Sequence, residues 1–153
     1  MIPEYKLYHG AVLAEIVHEL PFPVRIDELH EEGRLSSYIL DSSIGLHVKH
    51  SSNRMHPWSF TFTEQNIQEL RTLQAIFPEV FVVFVCQTQG MVCCTHAEFD
   101  GMIGESLVEH PWIRIDRRKG KWFQVSGPAT TKHAPKYPNG LDPLLAAIKR
   151  VMV

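Results

Sequence analysis

The feature of this sequence that most constrains its fold is the stretch VFVVFVC at residues 80–86, which is apolar at every position and rich in β-branched and aromatic side chains. A strand with one solvent-facing side alternates between apolar and polar residues, whereas a continuously apolar strand has both faces covered. We therefore place residues 80–86 in the middle of a sheet. The stretch GMVCCTH at residues 90–96 predicts its hairpin partner.

Three alternating segments precede this central strand. Residues 37–40 and 44–50 predict two strands joined by a DSS turn, and WSFTFT at residues 58–63 predicts a third. Side chains two residues apart on a strand project from the same face. His47 and Lys49 therefore share the polar face of the second strand, which could be an ordinary solvated surface, a catalytic site or a phosphate-binding pocket.

Four helices are indicated by apolar stripes and capping residues. The first covers residues 10–20 and ends at PFP, and the second begins after Thr63 as N-cap and ends before Pro78. A short helix lies within residues 97–108. A terminal helix starts with Asp142 as its N-cap and a proline as its first helical residue. The pattern leaves the charged stretch RIDELHEEGRL unassigned.

The second half of the chain adds a hairpin of WIRIDRR and KWFQVSG around Lys119 and Gly120, followed by a proline-rich loop at residues 127–140 that we expect to be exposed and mobile. We predict a single α+β domain over residues 1–153, with helices packed on a mixed central sheet. Residues 10–86 supply the core elements, and residues 87–153 extend them by the hairpin and the C-terminal helix.

Composition narrows the functional class. The 153 residues are 44% apolar and 21% charged with a formal net charge of −2, which is typical of a globular domain and provides no overall basic field for nucleic acid. Neither a membrane-spanning apolar run nor a signal-like N-terminus is present, so we expect a cytoplasmic protein with no membrane partner. Cys86, Cys93 and Cys94 lie in apolar surroundings and are expected to be reduced core thiols.

The element order α, β, β, β, α, β over residues 10–86, with the second strand ending in an x-Lys motif, resembles the PD-(D/E)XK superfamily and its restriction-endonuclease-like fold. The resemblance implies metal-dependent phosphodiester hydrolysis. Lys49 matches the catalytic lysine, Asp41 is the nearest match for the aspartate, and Glu15 or Glu19 on the first helix could join Asp41 in binding Mg²⁺. Carboxylate oxygens suit this cation.

His47 occupies the position where the family pattern has Asp or Glu, and an imidazole suits zinc, nickel or iron better than magnesium. The resemblance thus assigns Lys49, Asp41 and His47 to catalytic positions, with His47 as the departure. The stretch GLHVKHSSNRMHPWSFTF also resembles a block in small bacterial proteins, a resemblance that implies no particular activity.

Basic residues are concentrated in two places and are accompanied by aromatic residues. They are Lys49, His50 and Arg54, and then Arg114, Arg117, Arg118, Lys119 and Lys121. Trp58, Trp112 and Trp122 lie near them and would either face the core or present an aromatic plane beside a cation, as single-strand and phosphate binders do. We expect nucleic-acid contacts from Lys49, Arg54 and the 114–121 hairpin.

Two functions follow. The first is a nuclease-like protein that binds nucleic acid or hydrolyses phosphodiesters with Mg²⁺. The second is a non-catalytic protein-interaction or assembly module on the same scaffold, for which a homodimer is one expected state. Fold alone does not choose between them.

Overall fold

The computed structural model describes residues 1–29, 36–104, 110–118, 120–130 and 134–152. Within these ranges the chain forms four helices and two β-sheets, so the α+β class is confirmed. The helices are α1 (Glu4–Glu19), α2 (Glu64–Ile76), α3 (His96–Ile103) and α4 (Asp142–Val151). The strands are β1 (Ile26–Glu28), β2 (Ser37–Leu40), β3 (Ile44–Ser51), β4 (Trp58–Thr61), β5 (Glu79–Cys86), β6 (Met91–Thr95), β7 (Trp112–Arg117), β8 (Phe123–Ser126) and β9 (Lys136–Tyr137).

The central sheet has five strands in the order β1-β2-β3-β5-β6. The pair β3 and β5 is parallel along the full length of both strands, and the other three pairs are antiparallel, so the sheet is mixed as predicted. Every residue of β5 from Val80 to Cys86 is buried. The continuously apolar run therefore does lie in the interior of a sheet, with β6 as its hairpin partner.

The second sheet is antiparallel in the order β4-β7-β8-β9. The third predicted strand, β4, therefore belongs to this sheet and not to the central one. Trp58 and Phe60 of β4 are buried, whereas Ser59 and Thr61 are exposed. A strand with one apolar face needs to bury only that face against a core. Strands β3 and β5 are apolar on both faces and need other elements packed on each of them. This difference in pattern explains why β4 pairs with β7 rather than with β3.

Two apolar clusters lie on opposite faces of the central sheet. Leu46 and Val48 of β3 pack with Val12 and Ile16 of α1 and with residues of α4. The other cluster joins β5 and β6 to α2, α3 and the inner face of the second sheet. Gly45 lies between α2 and β5, where an added Cβ would come within 3.1 Å of the Leu73 side chain. Glycine here permits the close approach of helix and sheet.

Helix ends differ from the predicted ones in α1, α3 and α4. Helix α3 ends at Ile103 with Gly104 as its C-cap, short of the predicted limit at residue 108, and residues 105–109 lie outside the described ranges. Helix α1 begins at Glu4, six residues before the predicted start, because the buried side of the helix continues through His9, a polar residue that apolar periodicity does not register. The N-cap of α4 is Leu141 rather than Asp142. In contrast, Thr63 caps α2 as predicted, and Asn66 completes a reciprocal capping box with it.

In the proline-rich segment at residues 127–140, of which residues 131–133 lie outside the described ranges, the described residues are more regular than predicted. Its residues Lys136–Tyr137 form β9 on the edge of the second sheet, and Gly127 is buried. The backbone N–H of Met91 donates to Asn139 Oδ1 at 2.9 Å, and the N–H of Gly140 donates to the Met91 carbonyl at 3.0 Å. This segment therefore joins β6 of the central sheet to the second sheet.

Residues 26–28 of the unassigned charged stretch form strand β1, paired with β2, while residues 30–35 lie outside the described ranges. Among the helices that the structure describes, none has the length and apolar character needed to cross a lipid bilayer.

Candidate functional site

His47 and Lys49 project from the same face of β3, toward α2, as strand periodicity predicts. His47 Nδ1 lies 3.0 Å from Ser37 Oγ and 3.8 Å from Glu69 Oε1 of α2. His47 is fully buried and Glu69 is 2% exposed. The acid beside this histidine is thus a helix residue that sequence analysis did not single out.

Lys49 is held at the margin of this buried group. Its Nζ donates to Asn66 Oδ1 at 3.2 Å and lies 5.1 Å from the centre of the Phe62 ring. Desolvation lowers the pKa of Lys49, and the charge of Glu69 partly offsets that effect. We name Ser37, His47, Lys49, Asn66 and Glu69 the buried polar cluster.

The ionisation of His47 is controlled by its burial. Desolvation, followed by the charges of Lys49 and His9, lowers the pKa of His47 to about 3. Desolvation is the largest of these effects and the two charges act in the same direction, so the ring is neutral at ordinary pH. Its Nε2 atom is buried and has no hydrogen-bond partner among the described residues. A neutral, fully enclosed imidazole cannot reach a substrate, and we interpret it as a structural residue.

The carboxylates expected to bind a metal lie elsewhere. Glu15 and Glu19 are on α1, which packs against the opposite face of the central sheet from His47. Asp41 lies in the turn before β3, where its Oδ1 accepts from the backbone N–H of Arg25 at 2.9 Å. No group of three His, Cys, Asp or Glu side chains in the described ranges could hold a metal ion. The Mg²⁺ site remains a prediction without a ligand cluster to support it.

A basic cleft lies where the β7–β8 hairpin and β9 of the second sheet meet the loop after β3 and the turn after β5. Its two adjoining cavities have volumes of about 860 and 440 Å³ and share His56, Arg117 and Gly120. His56 follows β3 and Gln89 follows β5, while Arg117 comes from β7.

Arg117 forms a rigid wall of this cleft. Its Nε donates to the Lys121 carbonyl at 2.9 Å, and one terminal nitrogen donates to the Gln89 carbonyl at 3.0 Å. The guanidinium carbon also lies 4.4 Å from the centre of the Phe123 ring. A guanidinium fixed by three contacts loses little conformational entropy when it binds an anion.

The other charges of the cleft are predominantly positive. Its larger cavity is lined by Arg117, Arg118, Lys121 and Lys136 and by a single carboxylate, Asp116, which gives a formal charge of +3 when histidine is neutral. The whole chain carries −2. Asp116 is itself engaged by Arg114 at 3.2 Å and approaches His56 at 3.7 Å. The cleft is therefore a local cationic surface on a slightly acidic protein.

The three tryptophans differ in their surroundings. Trp58 is buried, and its indole N–H donates to the Asn53 carbonyl at 2.9 Å. Trp112 is half-buried, whereas Trp122 is 60% exposed and lines the cleft. Trp122 is therefore the exposed tryptophan that lines the same cavity as the basic residues. Arg54 is exposed in the loop after β3 and does not line either cavity.

Of the basic residues predicted to contact nucleic acid, Arg117, Arg118 and Lys121 line the cleft, whereas Lys49 belongs to the buried polar cluster. Lys119 lies outside the described residues. Lys136, which is not among the predicted contacts, reaches the cleft because β9 pairs with β8. No local signal marks that pairing.

The cysteines are confirmed as free core thiols. All three are buried and unpaired with one another, and desolvation raises the pKa of both Cys86 and Cys93 to about 12. The thiolate is the reactive form of cysteine. A nucleophilic role for these residues is therefore disfavoured.

Comparisons of the chain with protein-family models, with curated proteins and with solved structures find no match.

Proposed function

We propose that this protein binds nucleic acid by its phosphate backbone in the basic cleft. The observation that carries the proposal is the concentration of four cationic side chains, from the β7–β8 hairpin and β9 of the second sheet, in one concave surface. Neutralised phosphates release counterions, and this release supplies much of the affinity of basic surfaces for nucleic acid. A cleft that is cationic on an otherwise acidic chain gives such a ligand a defined position.

The division of roles follows from the geometry. Arg117 is immobilised and provides a fixed donor plane, while Arg118 and Lys121 are exposed and free to follow the backbone. Lys136 lines the same cavity from β9. The buried polar cluster joins β3 to α2 and lines neither cavity of the cleft.

The proposal is tested by fluorescence anisotropy with labelled oligonucleotides over a series of salt concentrations. Lys121→Ala is compared with Lys149→Ala, an exposed lysine on α4 that serves as the matched control. We expect the logarithm of the association constant to fall linearly with the logarithm of salt concentration, with a slope smaller by about 1 in Lys121→Ala. A salt-independent signal, or equal slopes in the two variants, would overturn the proposal.

Phosphodiester hydrolysis, which the family resemblance implies, is tested separately. Single- and double-stranded substrates are incubated with the protein and with Mg²⁺ or Mn²⁺, beside Lys49→Ala and Asp41→Ala. Activity that these variants lose would support a catalytic site at β3. Equal inertness of all three proteins would leave a binding function only.

The protein-interaction alternative is favoured by one observation on α1. Leu7 and Val17 are 55% and 52% exposed on the helix side that faces away from the central sheet. If this side is the interface of the expected homodimer, sedimentation analysis will show a dimer that Leu7→Glu dissociates. A monomeric wild type would exclude that assembly.

A further inference from the structure

The outer face of the second sheet is a polar surface that no helix covers in the described part of the chain. Along β8, Phe123 and Val125 point to the core, and Gln124 points outward. Lys136 of β9 is the neighbour of Gln124 in the strand register, and both are exposed. Helices α2 and α3 pack on the inner face instead.

Trp122 stands at the end of this face, immediately before β8. It is 60% exposed, and it shares the larger cavity with Arg118, Lys121, Gln124 and Lys136. A large aromatic side chain left in water forgoes the free energy of burial that the other two tryptophans gain in part or in full. An indole plane presented beside several cations is the arrangement by which proteins stack unpaired bases while holding their phosphates.

We propose that the ligand is a single strand of nucleic acid, with one base stacked on Trp122 and its backbone held in the basic cleft. This inference rests on the proposed function and specifies its substrate class. Bases in a duplex are already stacked on their neighbours and present only their edges, so a duplex can use the cations but not the indole. The exposed tryptophan is therefore the feature that separates the two ligands.

The chemistry of the neighbouring surface favours a nucleic acid over a protein partner. Around Trp122 the lining is charged or polar, with four cations and one carboxylate, Asp116. The second sheet continues outward with Ser59, Thr61 and Arg114, all exposed. Protein interfaces centre on contiguous apolar surface with few charges at the core. A lone aromatic among cations lacks that surface, whereas it matches a polyanion that also carries aromatic rings.

The test compares the affinities of an oligothymidylate and of a duplex of equal length for wild type, Trp122→Ala and Trp122→Phe. The matched control is Ile76→Ala, which removes a 58% exposed apolar side chain from α2. We expect Trp122→Ala to weaken single-strand binding by roughly 5- to 100-fold and Trp122→Phe to retain most of it. Duplex affinity should be unchanged in both variants, and Ile76→Ala should resemble wild type.

Intrinsic fluorescence supplies an independent readout. Stacking of a thymine on an indole should quench the emission of Trp122 on titration with oligothymidylate, and Trp122→Phe should abolish that quenching while Trp58 and Trp112 remain.

The outcomes distinguish this inference from the proposed function. If neither ligand binds with a salt-dependent affinity, the cleft proposal fails and the single-strand inference fails with it. If both ligands bind and Trp122→Ala affects neither or both equally, the cleft proposal stands and the single-strand inference is rejected.

Discussion

Replacing His47 with glutamine should reduce the loss of folding stability that the protein shows as pH falls below neutral. Glutamine can still hydrogen-bond with Ser37 Oγ, which lies 3.0 Å from His47 Nδ1, but it cannot take up a proton. The pKa of His47 is lowered to about 3 in the folded chain because a fully buried imidazolium is desolvated. In the unfolded chain the same ring has its ordinary pKa of about 6.5.

The sign follows from proton linkage. Above about pH 6.5 the ring is neutral in both states, and between about pH 6.5 and 3 only the unfolded state binds the proton, so stability is lost as pH falls through this window. Integrating that difference from about pH 7 to about pH 5 gives a loss of about 2 kcal/mol from His47. His9, whose pKa burial and His50 lower to about 4, adds a loss of the same sign in wild type and variant alike.

Urea unfolding at the two pH values measures this loss, provided that the m-value is unchanged. His47→Gln should lose about 2 kcal/mol less than wild type on acidification, whatever its stability at neutral pH. His18→Gln, which removes an exposed histidine of α1, should behave as wild type. If His47→Gln keeps the full pH dependence, the ring takes up its proton equally in the folded and unfolded chains, and if the variant gains a steeper dependence, the buried ring is charged and paired with Glu69. Either result refutes the argument.

Three further predictions follow from packing and charge. Lys49→Met should lower the free energy of unfolding by about 1–3 kcal/mol, and Glu69→Gln should destabilise the Lys49→Met variant less than it destabilises wild type. A double-mutant cycle by urea unfolding measures this difference, and strictly additive effects would mean that the two charges do not interact. Gly45→Val should destabilise the protein by about 1–3 kcal/mol because the added side chain would crowd α2 and β5. Gly101→Ala, whose added methyl group meets open space on α3, should stabilise the protein by about 0.5–1 kcal/mol. Thermal denaturation that shows the reverse order would contradict the packing. The three thiols should react with a disulfide reagent only when the protein unfolds, and rapid labelling of the native protein would refute their burial.

Strand periodicity was sufficient to place His47 and Lys49 on one face and β5 in the interior, because both depend on local sequence alone. It did not identify Glu69 as their neighbour, since that contact depends on how α2 crosses β3. A signal was nevertheless present: Glu69 lies at helical spacing between Asn66 and Leu73, on the side that carries the apolar stripe.

The cleft was only partly predictable. Local composition indicates the cations of the 114–121 hairpin and the neighbouring Trp122. The cavities are also formed by the loop after β3, the turn after β5 and Lys136 of β9. These segments meet because strands far apart in sequence pair in a second sheet. The predicted fold has a single sheet and lacks these pairings. Long-range pairing of this kind leaves no mark on any single segment.

The contacts of Met91 with Asn139 and Gly140 have a consequence for association between molecules. Strand β6 is the last strand of its sheet, and its outward backbone groups would otherwise be a template for a strand from another molecule. Here Asn139 and Gly140 of the same chain bind the backbone N–H and carbonyl of Met91. The strand at the opposite border of the sheet, β1, has only three residues. Intermolecular β-pairing, the first step toward amyloid-like stacking, is thereby obstructed at both borders.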